Sequence, residues 1–83
     1  MTLAFALLNC DIGTEKTVIG EMRGISGVSE AAGVSGIYDI VAKLRAESNE
    51  GIMGIVRKFH MISNIRSCST MIVAERYEDW QSR

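Results

Sequence analysis

The sequence repeats itself. Ile25-Ser26-Gly27-Val28 returns 37 positions later as Ile62-Ser63-Asn64-Ile65. The same offset carries Val18 onto Ile55, Ile19 onto Val56 and Met22 onto Phe59, and pairs Leu3 with Ile40 and Leu7 with Leu44. A unit recurring at this spacing is one supersecondary element used twice, which restricts the fold more than composition does. In 83 residues there is room for two such units and a single domain, 1–83.

Each half reads as strand, helix, strand. Leu3 to Leu8 is an apolar run ended by Asp11 and Gly13, too short for a stable helix and suited to a central strand. Thr14 is placed to cap a helix over Glu15–Arg23, with Val18, Ile19 and Met22 on one face and Gly24 as its stop. Val28 to Val34 is a second strand, followed by a turn at Ser35-Gly36. Tyr38 to Arg45 alternates, with Ile40, Ala42 and Leu44 facing one way. Ser48 caps a second helix whose Ile52, Ile55, Val56 and Phe59 fall at helical spacing. Ile65 to Glu75, rich in β-branched residues, is the fourth strand. Two βαβ halves joined by a hairpin predict an α+β, ferredoxin-like βαββαβ fold: a four-stranded antiparallel sheet with both helices on one face.

The other face is apolar as well. The first strand presents Leu3, Phe5 and Leu7 one way and Ala4, Ala6 and Leu8 the other; the fourth presents Met71 and Val73 opposite Ile72 and Ala74. A sheet face left to water alternates apolar with polar residues, and this one does not. A chain of this length buries only about 60–65% of its unfolded surface. Covering the open face with a second copy strengthens a marginal core, so the expectation is a dimer with sheets packed face to face.

Charge and composition exclude several functions. Nine Lys and Arg balance ten Asp and Glu, leaving no basic stripe for a phosphate backbone and hence no direct binding of DNA. Apolar content of 47% with a net charge of −1 excludes disorder. No apolar run is long enough to span a membrane, and Leu3 to Leu8 lacks the flanks of a signal peptide. Two cysteines in an otherwise ordinary composition point to a reducing, cytoplasmic setting.

No catalytic or metal constellation stands out, and none is expected, nor any cofactor. His60 is the single histidine and sits at the end of an amphipathic helix, where its charge suits the macrodipole. One histidine and two distant cysteines do not make a zinc site. Cys10 and Cys68 fall on strands expected to be neighbours; they are small buried side chains first and a redox pair second. The glycines match neither dinucleotide nor P-loop patterns. Gly33-Val34-Ser35-Gly36 nevertheless offers exposed backbone donors just before Tyr38 and Asp39. Such donors beside a carboxylate suit the two ends of a zwitterion, with Asp39 facing an ammonium group. Equally, Tyr38 packs and Asp39 is a solvated turn residue; spacing leaves both open. The tail Tyr77-Glu78-Asp79-Trp80 holds the only tryptophan, suited to docking on a neighbouring chain or to a frayed end.

The hairpin Gly33-Val34-Ser35-Gly36-Ile37-Tyr38-Asp39-Ile40-Val41-Ala42-Lys43 resembles that of the effector-binding (RAM) domain of Lrp/AsnC-type transcriptional regulators. Ile25-Ser26-Gly27-Val28 is similar to the family's Ile/Leu-Pro-Gly-Val segment, with Ser26 replacing proline, and Cys68-Ser69-Thr70-Met71-Ile72-Val73 resembles its Thr-x-Thr strand. The likeness runs from Leu3 to about Glu75. It implies sheet-to-sheet dimers, further assembly to octamers, and amino acids or similar effectors bound between dimers. Carried over by position, the ligand contacts are Gly36, Tyr38, Asp39 and Thr70; Cys68 replaces the first threonine of the pair and removes a hydroxyl donor.

Full-length members carry an N-terminal helix-turn-helix, whereas this chain begins almost at the first strand, so it resembles a stand-alone RAM protein or a fragment of a longer regulator, with Met1 directly before the strand favouring the former. Such a module acts on transcription indirectly, through an amino-acid effector and co-assembly with full-length regulators, and is not an enzyme. Two alternatives share the topology: a small dimeric α+β-barrel enzyme, and an ACT-type regulatory domain.

Overall fold

The apolar run near the N-terminus makes a strand longer than the run itself. In the computed structural model, which describes residues 1–74, β1 spans Thr2–Cys10. It is followed by α1 (Glu15–Arg23), β2 (Val28–Gly33), β3 (Ile40–Ala46), α2 (Asn49–Phe59) and β4 (Ile65–Ile72). The sheet order is β2-β3-β1-β4, with every pairing antiparallel. This is the expected ferredoxin-like arrangement. The two strands carrying the longest buried alternations, β1 and β3, lie in the middle, where a strand loses both edges to neighbours.

One face of the sheet forms the core with the helices. Ala4, Ala6, Leu8 and Cys10 of β1, Ile40, Ala42 and Leu44 of β3 and Ala31 of β2 are buried there against Val18 and Met22 of α1 and Ile52, Ile55, Val56 and Phe59 of α2. Each side chain the size of Leu8 or Phe59 contributes about 1.5–3 kcal/mol on burial. Small alanines in the central strands leave room for α2 over β1 and β3, while α1 lies over β2. The Arg23 guanidinium fastens α1 to that edge, donating to the Ala31 carbonyl at 2.8 Å.

Several local expectations are overturned. The repeat pairs the helices correctly but not the strands: Leu3 and Leu7 lie on the open face, Ile40 and Leu44 on the helix face. The strands superimpose at a spacing one residue shorter, Ala4 on Ile40 and Leu8 on Leu44. The second half carries one residue more between its strand and helix core positions, Leu44 to Ile55, than the first does from Leu8 to Val18. Thr14 does not cap α1 through its side chain; its hydroxyl donates backwards to the Asp11 carbonyl at 2.7 Å. Ser48 does cap α2, its Oγ accepting from Gly51 N–H at 3.2 Å. Gly24 ends α1 in a right-handed conformation. β2 stops at Gly33, β3 begins only at Ile40 and β4 ends at Ile72. Tyr38 therefore belongs to the connection and not to the strand. Glu75 and the Trp80 tail lie outside the described residues.

The open face keeps the apolar character expected of it. Phe5 stands opposite Lys43 on one side and Met71 on the other, and Leu7 opposite Val41 and Ser69. Met71 is 53% exposed. Phe5, Leu7, Val41 and Val73 are half-buried, with Lys43 and Arg45 at their margin. Among the described residues no helix is long and apolar enough to cross a membrane.

Candidate functional site

The β2–β3 connection is wider than a two-residue turn. Val34 N–H donates to the Asp39 carbonyl at 2.9 Å, closing a loop that holds Ser35, Gly36, Ile37 and Tyr38. Gly36 has φ +148°, within the region that favours glycine, and it is exposed. Ile37 is 85% exposed and Tyr38 half-buried. The loop thus presents backbone to solvent.

Asp39 is the best-fixed of the four site residues. Its N–H donates to the Leu8 carbonyl at 2.9 Å, and its Oδ2 accepts from Cys10 N–H at 2.9 Å. The carboxylate is therefore not a loosely solvated turn group. It binds the base of the hairpin to the end of β1 and leaves Oδ1 with no described partner.

Thr70 lies elsewhere. It faces Ala6 of β1, which faces Ala42 of β3, so two strand spacings and three residues separate it from Asp39. Strand spacing and rise place the two Cα atoms roughly 14 Å apart. Its hydroxyl contacts Cys68 Sγ at 3.7 Å. The structure thus brings together Tyr38, Asp39 and the Gly36 loop, but not Thr70, within one chain.

Neither cysteine forms a disulfide. Cys68 stands opposite Leu8 and Cys10 opposite Ile65, so the two are diagonal and not facing. Burial pushes the Cys10 thiol above its ordinary value, the Thr14 hydroxyl opposes this, and the charges of Asp39, Glu15 and Asp11 add to the rise. Burial likewise raises Cys68, against the Thr70 contact. Both shifts favour the neutral thiol over the reactive thiolate, in keeping with small buried side chains.

Sequence reasoning missed a polar cluster at the end of β1. Asn9 Nδ2 donates to Ser67 Oγ at 3.3 Å, Asn64 Nδ2 to Asp11 Oδ2 at 3.3 Å, and Arg66 approaches Asp11 at 3.9 Å. The signal available was the abrupt change to Asn9 and Asp11 after the apolar run. Among the described residues no three His, Cys, Asp or Glu groups converge to hold a metal ion.

The exposed β2–β3 loop and the fixed Asp39 carboxylate thus lie together at one end of a ferredoxin-like sheet. The model of the Lrp/AsnC ligand binding domain matches residues 3–81, and the chain belongs to that family. Among solved structures it is similar to TTHA0845 from Thermus thermophilus, with a TM-score of 0.89 and 22% identity over 93% of this chain and 98% of that one. It is also similar to FFRP-DM1, at 30% identity and a TM-score of 0.82, covering 88% of this chain and 99% of that one. A third, AsnC of E. coli, has a TM-score of 0.83 and 21% identity over 90% of this chain, but only 52% of the AsnC chain is matched. No curated protein sequence matches the chain.

Proposed function

We propose that residues 1–83 form one cytoplasmic, non-catalytic sensing domain that binds an amino acid or a similar small effector. It modulates transcription indirectly, by co-assembly with full-length regulators of its family. The observation that carries this reading is the Asp39 carboxylate, pinned at 2.9 Å to Cys10 N–H beside the exposed Gly36 loop. A preset anion next to free backbone donors suits an ammonium and a carboxylate on one small molecule.

Two features support assembly. The open face carries Phe5, Leu7, Val41, Met71 and Val73 side by side, which favours burial against a second copy. The roughly 14 Å between Thr70 and Asp39 exceeds the reach of a single amino acid, so Gly36, Tyr38 and Asp39 act with the Thr70 of another copy. A dimer, and an octamer built from dimers, provide such a junction.

Thermal unfolding in the presence of each proteinogenic amino acid tests the reading. A ligand that binds only the folded state raises the melting temperature by mass action, by about 2.7 kcal/mol of stability at a hundred times its Kd. No shift with any amino acid at millimolar concentration refutes the sensor.

A further inference from the structure

The solvent side of α2 carries a pattern that the fold of one chain does not use. Ile52, Ile55, Val56 and Phe59 turn to the core and are buried. With about 3.6 residues per turn, Glu50, Met53, Gly54 and Arg57 fall on the opposite stripe. Met53 is 43% exposed there. With Asn49, Glu50 and Arg57 it lines an open hollow of about 320 Å³.

Nothing in the fold requires a glycine at position 54. A Cβ built on it comes no nearer than 3.8 Å to any atom, and that atom belongs to the Arg57 guanidinium. Gly51 differs, because a Cβ there would meet the Ala46 side chain at 2.8 Å. Glycine inside a helix is destabilising relative to alanine, so Gly54 calls for a reason outside the chain. A close approach by another backbone supplies one.

Charge is segregated along the same stripe. Glu50 lies in the first turn and Arg57 in the last, where the macrodipole favours each. Neither makes an ion pair among the described residues. They stand about 10 Å apart along the axis, and the midpoint between them falls on the Met53–Gly54 peptide. A two-fold axis through that midpoint sets Glu50 of each copy against Arg57 of the other. It also lays Gly54 beside Met53 of the second copy, where the missing Cβ permits the short end of the roughly 8–10 Å range of helix spacings. The macrodipole accounts for the charges alone, but not for an exposed methionine and an unused glycine set between them. A partner of uniform charge would meet like charge at one end, whereas a second copy matches both.

We propose that the Glu50–Met53–Gly54–Arg57 face of α2 docks on the same face of a second copy, antiparallel and about a two-fold axis. A pair of three-turn helices buries less than the roughly 1,200 Å² of a stable interface, so the contact is weak by itself. It acts between units joined elsewhere, since α2 and the Phe5–Leu7 face lie on opposite sides of the sheet. Two such axes on one chain carry assembly beyond a pair, and linkage multiplies a weak contact. No effector enters this inference.

Light scattering of the full chain over a concentration series tests it, with Glu50→Arg, Arg57→Glu and the double variant. All are substitutions at exposed positions, and circular dichroism is expected to show the fold retained. Each single variant turns two attractions into two repulsions and is expected to need about tenfold higher concentration for the same mass. An equimolar mixture of the two single variants is expected to recover the wild-type curve, because each copy then complements the other. The double variant is expected to recover as well, although it opposes the macrodipole at both ends, which separates docking from helix stability. If the single variants match the wild type, or if the mixture stays as weak as its components, the inference is overturned. A wild type that remains monomeric up to millimolar concentration overturns it too.

Discussion

Asp39 accepts a hydrogen bond from the Cys10 backbone N–H at 2.9 Å, joining residues 29 positions apart in the chain. One carboxylate thereby closes the exposed end of β1 and fixes the base of the β2–β3 loop. Replacing Asp39 by Ala leaves that donor without a partner, and the expected cost is about 1–3 kcal/mol of stability. Asp39→Asn keeps an acceptor and costs less, while removing the charge offered to an ammonium. Denaturant unfolding of the two variants checks the order. Equal losses would show that the bond to Cys10 contributes nothing.

The thiols give a pH dependence. Burial, with the charges of Asp39, Glu15 and Asp11, raises Cys10 above the ordinary thiol value of 9.0. The unfolded chain therefore releases this proton at lower pH than the folded one does. Stability from the neutral buried thiol is complete below pH 9.0 and declines as pH rises through the higher folded value. Cys68 acts in the same direction. Unfolding free energies measured from about pH 8 upward are expected to fall, and Cys10→Ala is expected to flatten the fall. Labelling by a thiol reagent at neutral pH is expected to be slow until the chain unfolds.

Much of this architecture is legible from apolar spacing. Val18, Met22, Ile55 and Phe59 are all buried where the repeat places them, and the alternation of Ile40, Ala42 and Leu44 sets the helix face of β3. Local spacing is blind to what crosses strands. The Asp39–Cys10 bond spans 29 residues of chain, and the displacement of Arg66 depends on a bulge set by β1 opposite β4. Thr14 looked like a cap because its residue type suits one; the Asp11 carbonyl competes for its hydroxyl in the folded chain. The family likeness supplied Thr70, and only the sheet order revealed how far it lies from Asp39.

The two halves of the repeat diverge at Gly27 and Asn64. Gly27 has φ +97°, and a Cβ there would meet the Ile55 side chain and lie 3.0 Å from the Arg45 carbonyl oxygen. Asn64, its counterpart, has no positive φ and bonds Asp11 instead. Gly27→Ala is expected to cost about 1–3 kcal/mol through backbone strain and overpacking together. Gly13, also at positive φ but with open space around it, is expected to tolerate alanine better. Chemical denaturation of both variants measures the difference, and equal losses would mean that close packing at Ile55 has no part in it.

Met71 separates folding from assembly. It is 53% exposed in the single chain and stands opposite Phe5 on the open face, away from the helices. A charge placed there meets water in a monomer, so Met71→Glu is expected to change the stability of the isolated fold by less than about 0.5 kcal/mol. In a face-to-face dimer the same charge is buried without a partner, which costs several kcal/mol. Light scattering is therefore expected to show the wild type as a dimer or larger and Met71→Glu shifted toward monomer at micromolar concentration. Circular dichroism should show the helix and sheet content of the wild type retained. A variant with undiminished mass places the second copy on some other surface, and the Phe5–Leu7 face then needs a different partner.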